Sequence, residues 1–225
     1  MKKHSIVFLA AILFTAQSLA AQIVTNLNDI DFWVGSGSKQ AGLLIDFDDG
    51  FSKQSFVWGY RWEGVATGAE MITAVAAADP NLTVLSGGTI GSNFFIIEIG
   101  YFDGVNNHNK TSGDFITDFN YWGYSVVGGT AGGTFGPDTF DPVAPGASFA
   151  IPSLGTWTEA PAGASYDSFG SPGRILENMA WDAWSFGEFP NSPQNTYFAA
   201  IPEPGVSVLL IGGSFCFLTR RRRAS

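Results

Sequence analysis

Cysteine is nearly absent from this sequence: its 225 residues include one, Cys216, close to the C-terminal end. Residues 22–201 therefore contain no disulfide, no thiolate nucleophile and no thiolate metal ligand. Histidine is almost as scarce. Apart from His4, the only one is His108, set among Asn106, Asn107, Asn109 and Lys110. A Ser-His-Asp machine would have to use that residue, and its turn-forming neighbours read as a solvated loop. One histidine without cysteine builds no zinc site unless carboxylates supply the remaining ligands. No metal or other cofactor is expected.

Basic residues are also few where the chain would fold. Residues 22–201 hold 19 of the 20 carboxylates, all but Glu203, against only Lys39, Lys53, Arg61, Lys110 and Arg174, a net charge of −14. Such a body repels nucleic acid and anionic lipid, so neither is expected as a partner. A long apolar run is missing too. The uncharged stretch 205–219 would make a helix of roughly 22 Å at about 1.5 Å per residue. That is short of a hydrocarbon core of about 30 Å.

What is present is concentrated at the two ends. Lys2 and Lys3 precede an apolar run from Ser5 to Ala16, closed by Ser18-Leu19-Ala20-Ala21. This is the pattern of a signal peptide over 1–21, cleaved after Ala20 or Ala21. At the other end Pro202-Glu203-Pro204 precedes the uncharged stretch, and Arg220, Arg221, Arg222 and Arg223 follow it. The prolines keep a helix from extending upstream, and the arginines hold the far end on the cytoplasmic side. The order of tripeptide, short transmembrane segment and basic tail over 202–225 resembles the PEP-CTERM sorting signal of Gram-negative bacteria. The resemblance implies recognition by an exosortase, a membrane-embedded cysteine-dependent transpeptidase, after signal peptidase has acted. It implies cleavage near the tripeptide, an inner-membrane intermediate, and delivery to the cell surface or an exopolysaccharide or biofilm matrix.

The body, 22–201, reads as one β-rich extracytoplasmic domain. Strands are expected at 41–48, 55–62, 82–85, 93–102, 119–127, 148–151, near Trp157 and at 181–186, and the one at 93–102, apolar on both faces, should be central in a sheet or covered on both sides. A helix is expected after Thr67 and Glu70, which form a capping box, with Met71, Ile72, Val75 and Ala76 as its apolar stripe and Asp79-Pro80 as its end. Residues 103–114 read as turns, and 128–146 as a long Gly/Pro-rich loop. This order predicts an α+β fold, a mixed sheet with one packed helix. The segments GLLIDFDDG, ATGAEMITAVAAAD, FFIIEIGYFDG, NYWGYSVVGG and the Trp-rich run ending at Phe186 are similar in pattern to the β-grasp domain of transcobalamin-type surface proteins. The similarity implies a carbohydrate or a corrin-like cofactor as the ligand class.

Four groups of side chains are candidates for chemistry. Phe56, Trp58, Tyr60 and Trp62 share one face of a strand and could stack on sugar rings or a planar cofactor, as could Trp122 and Trp184; the default for such alternation is a core face. Of Trp181 and Trp184, only one can lie on that face, which makes the other a surface candidate. Asp46, Asp48 and Asp49, and separately Asp138 and Asp141, are acidic turns that lack the spacing of a calcium loop. Glu98, inside an apolar strand, should either pair, with Arg61 or Arg174 as candidate cations, or act at a site, and structural pairing is the default. No pair of carboxylates is nominated for glycoside hydrolysis. The expectation is a non-enzymatic structural or adhesive matrix protein. The alternative is a small-ligand-binding module at the cell surface.

Overall fold

The computed structural model describes residues 22–48, 50–51, 55–90, 92–113, 120–130, 146–159, 174–188, 193–194 and 197–201. The signal-peptide segment and the sorting segment, with Pro202, Glu203, Pro204 and Arg220 to Arg223, lie outside them, as do Asp49, Asp138 and Asp141. Among the described residues no helix is long and apolar enough to cross a membrane.

The elements in chain order are β1 (Trp33–Gly35), β2 (Lys39–Asp46), β3 (Ser55–Trp62), α1 (Gly68–Ala78), β4 (Leu82–Thr89), β5 (Ser92–Phe102), β6 (Asn107–Thr111), β7 (Asn120–Val127), β8 (Thr158–Glu159), β9 (Ala180–Glu188) and β10 (Phe198–Ala200). The fold is mixed α+β and strand-rich with one helix, but it has two sheets where the sequence predicts one. The larger runs β1-β3-β2-β9-β7-β8, with β10 also paired to β3. It is mixed, parallel at β1/β3, β10/β3 and β2/β9 and antiparallel elsewhere. The smaller is an antiparallel β4-β5-β6 meander.

β2 lies inside the larger sheet, and its residues from Ala41 to Asp46 are buried on both faces. On one face Leu43, Ile45, Phe56, Trp58, Tyr124 and Trp184 pack with Met71, Ile72 and Val75 of α1 and with Leu82, Phe94, Ile96 and Ile99 of the smaller sheet. On the other, Leu44, Val57, Val127, Trp181 and Ala183 are covered by Val24, Leu27 and Ile30, with Trp157 and Phe198. Covering both faces is what lets a strand such as GLLI be continuously apolar. The helix begins as the sequence predicts. The Glu70 N–H donates to the Thr67 hydroxyl (3.2 Å), and the Thr67 N–H donates to the Glu70 carboxylate (2.8 Å).

β5 is apolar at successive positions for a different reason from β2. A bulge beside Leu85/Ser86 leaves Ile97 unopposed, since Leu85 faces Glu98 and Ser86 faces Ile96. The inward set therefore shifts from Phe94 and Ile96 to Ile99 and Tyr101, both pairs buried, whereas Phe95 and Phe102 are exposed. One extra residue flips the parity of the strand. Three further expectations are corrected. Residues 107–111, read as turn, form β6; β1 and β10 were not foreseen; and 148–151 makes a single bridge, Ala150 to Asn26, rather than a strand. Of the 128–146 loop only Gly128–Thr130 and Gly146 are described.

Candidate functional site

The aromatic stripe belongs to the core. Trp58, Trp62, Trp122 and Trp184 are 0, 4, 5 and 4% exposed, and Phe56 2%; Tyr60 is half-buried. Trp58 donates its indole N–H to Asp79 (2.9 Å), Trp122 to the Lys110 carbonyl (3.0 Å). Tyr60 stacks on Trp62 at 5.7 Å, and Tyr124 on Trp184 at 4.3 Å. Apart from the half-buried Tyr60, these rings are enclosed by other side chains. The surface candidate is corrected as well: Trp181 does take the opposite face to Trp184, but that face is also covered and Trp181 is wholly buried. It lies over Gly42, its partner across β2 and β9, and donates to the Ser148 carbonyl (2.8 Å). Trp33 covers Gly59 across β1 and β3 in the same manner, with the Arg61 guanidinium 4.6 Å above its ring. A bare glycine in a strand leaves a gap that a cross-strand aromatic ring fills.

The charged residues resolve into three buried arrangements. In the first, Arg174, Asp182 and Tyr124 form a triad. The guanidinium donates to one Asp182 oxygen from Nε (3.1 Å) and Nη2 (2.7 Å), and to the carbonyls of Thr130 (2.6 Å) and Ile175 (3.2 Å). The Tyr124 hydroxyl donates to the other Asp182 oxygen. Burial and the adjacent Asp182 hold the Tyr124 hydroxyl well above its ordinary pKa. Burial alone would lower Arg174, but Asp182 outweighs it and raises the guanidinium further. Gly68, the first residue of α1, abuts the triad so closely that a methyl group there would overlap the Tyr124 hydroxyl. The Gly68 N–H donates to the Arg174 carbonyl (3.2 Å), so the triad ties the helix start to β7 and β9. It is enclosed and satisfied, which is the description of a structural clamp.

The second arrangement corrects the reading of His108. It is 1% exposed, on the inner face of β6 opposite Tyr101, with ring centroids at 4.8 Å from Phe56, 5.3 Å from Phe51 and 5.4 Å from Phe47. Its Nε2 lies 3.3 Å from the Asp103 carboxylate. Asp103 also accepts from the N–H groups of Asn106 (2.6 Å) and Val105 (2.8 Å). Burial would raise that carboxyl, but these bonds outweigh it and hold it below the usual range. In the third, Asp46 accepts from the Ser55 hydroxyl (2.8 Å) and the Gln194 N–H (3.2 Å) and closes the end of the β2/β3 ladder.

Glu98 pairs with neither cation the sequence suggested. It lies half-buried on the outer face of β5 and accepts from Thr111 across the ladder (2.7 Å), while Arg61 is on Trp33 and Arg174 on Asp182. No group of three or more His, Cys, Asp or Glu is arranged for a metal ion among the described residues. A groove of ≈ 410 Å³ lies between α1 and β4, lined by Thr73, Ala76, Ala77, Leu82, Thr83, Val84 and Ser86. No family model, no curated protein and no solved structure matches this chain.

Proposed function

We propose that the chain is an exported protein delivered by its C-terminal sorting segment to the cell surface or extracellular matrix. There it acts as a structural or adhesive component of an exopolysaccharide layer rather than as an enzyme. The observation that carries the proposal is the order Pro202-Glu203-Pro204, uncharged 205–219, Arg220 to Arg223, together with the basic and apolar leader at the other end. Support comes from the body as well. Among the described residues most of its aromatic side chains are used in two packed cores, and its triad is buried within the fold. A domain exported without disulfides must be held by such a core.

The finer likeness, to the β-grasp domain, enters only through the ligand class it implies. Trp58, Trp62, Trp122 and Trp184 are buried and Tyr60 half-buried, and this favours the matrix role over a displayed carbohydrate- or corrin-binding module. The sorting reading is tested by expressing the full chain with a C-terminal tag in a host that has an exosortase. The tag should be lost from the mature product; a tag still attached to surface protein would contradict the reading. Titration with glycans and cobalamin separates the two roles, and saturable binding of either would restore the ligand-binding module.

A further inference from the structure

Every open sheet edge exposes unpaired N–H and C=O groups, and proteins shield these edges with short strands, charges or covering segments. Among the described residues, four of the five outermost strands are short or shielded. β1 and β10 have three residues each and β8 two. β6 carries Lys110, and its outer side is engaged where the Trp122 indole N–H reaches the Lys110 carbonyl (3.0 Å). β4 is different. Its eight residues, LTVLSGGT, contain no charge and no proline, and among the described residues β5 is its sole strand partner. Phe102 donates to the Asn81 carbonyl (3.1 Å), which fixes the phase of the ladder. By the alternation of an antiparallel pair, Thr83 then bonds to β5 and the backbone of Val84 turns outward. Val84 lines the groove between β4 and α1, whose walls include Ala76 and Ala77.

We propose that this groove takes an extended segment of a basic partner polypeptide, which adds to β4 as a fourth strand of the smaller sheet. An unpaired edge supplies main-chain bonds, and an adjacent helix supplies a wall for alternate side chains. One row of the incoming side chains would point toward Ala76, Ala77 and Val84, where the small lining leaves space for Val-sized apolar groups. The other row would lie beside Leu85 on the outer face, whose cross-strand neighbour is Glu98. Charge decides between partners. The groove lining is uncharged, while residues 22–201 carry −14. Arg174 is enclosed in its ion pair, and Arg61 and Lys110 lie over the Trp33 and Phe186 rings. A second copy of this chain is repelled by such a field, and a lysine-bearing strand is drawn to it.

The test uses the full chain in non-ionic detergent and a fluorescent peptide of four Lys-Val repeats, read by anisotropy. Saturable binding is expected. It should weaken at least tenfold with Val84→Pro, which removes the outward N–H, and with Ala77→Arg, which fills the groove from an exposed helix position. A Glu-Val peptide should bind at least tenfold more weakly than Lys-Val. Circular dichroism establishes that each variant is folded, and Ala77→Arg carries the test alone if Val84→Pro is not. The proposal is overturned by absence of binding, by equal affinity for the acidic peptide, or by affinity indifferent to both variants. It is also overturned if the chain dimerises without peptide and Val84→Pro abolishes the dimer, which would make a second copy the occupant.

Discussion

The two sheets of this protein solve the same problem with different degrees of closure. The larger is covered on both faces, so Trp181 and Trp184, three residues apart on β9, are both buried although they point in opposite directions. The smaller is covered on one. Its outer face leaves Leu85, Phe95 and Phe102 at 54, 50 and 41% exposure. Burial of a large apolar side chain contributes about 1.5–3 kcal/mol, and the second layer on the larger sheet makes that contribution twice over. The smaller sheet gains it once and keeps an open face and an open edge. Local stability should therefore be uneven, with the β4-β5-β6 meander opening before β2, β3 and β9.

The sharpest way to break the contrast is at the triad. Asp182→Ala leaves the buried Arg174 guanidinium without its counter-charge, which costs about 3–5 kcal/mol. Against a total of about 5–15 kcal/mol, that is a large share of the stability of a domain. Thermal unfolding should show a large fall in Tm. The double variant Asp182→Leu with Arg174→Met should recover much of it, because burying no charge is better than burying one unpaired. A double variant no better than the single would mean that the triad's cost lies in shape, not charge.

A gentler comparison uses one substitution in both sheets. Gly42→Ala drives a methyl into the Trp181 ring, which is packed on every side; Gly87→Ala meets Phe95, which is half-exposed and free to swing outward. Overpacking a filled site costs about 1–3 kcal/mol. Chemical denaturation should find Gly42→Ala in that range and Gly87→Ala well below it. Equal losses would argue that Phe95 is held as firmly as Trp181. On the open face itself, Leu85→Ser should change stability by no more than about 0.5 kcal/mol, the scale of a surface substitution.

The same asymmetry explains what could be read in advance. The alternation of Phe56, Trp58, Tyr60 and Trp62 was legible because a core-facing strand has period 2, and the capping box announced α1. β5 was legible as a strand and as the central one of its sheet, while its apolarity at successive positions goes with a bulge at Ile97 rather than with double coverage. β6 was hidden because Asn107, Asn109 and Thr111 are its solvent-side sequence, whereas His108 is buried by Phe47, Phe51 and Phe56, which lie far off in the chain. The triad was legible only as a question. Asp182, inside the apolar run AWDAW, is a charge that burial forbids without a partner, and Tyr124 lies 58 positions away.

The smallest expected effect is confined to the turn of the smaller sheet. The Asp103 carboxyl is held below the usual carboxylate pKa by the Asn106 and Val105 N–H groups and by His108, against the opposing effect of its partial burial. A group depressed in the folded state contributes stability above its unfolded pKa, about 3.9, and loses it as pH falls through the lower folded value. Acidification below about pH 4 should therefore loosen the 103–106 turn. Hydrogen exchange followed at falling pH, after correction for its intrinsic rate, should lose protection at Val105 and Asn106 before Leu43, Leu44 and Trp184. Asp103→Asn should remove that pH-dependent step, since an amide does not titrate. If protection fell together across both sheets, the turn would not be an independent unit. The smaller sheet would then share the cooperativity of the larger one in spite of its open face.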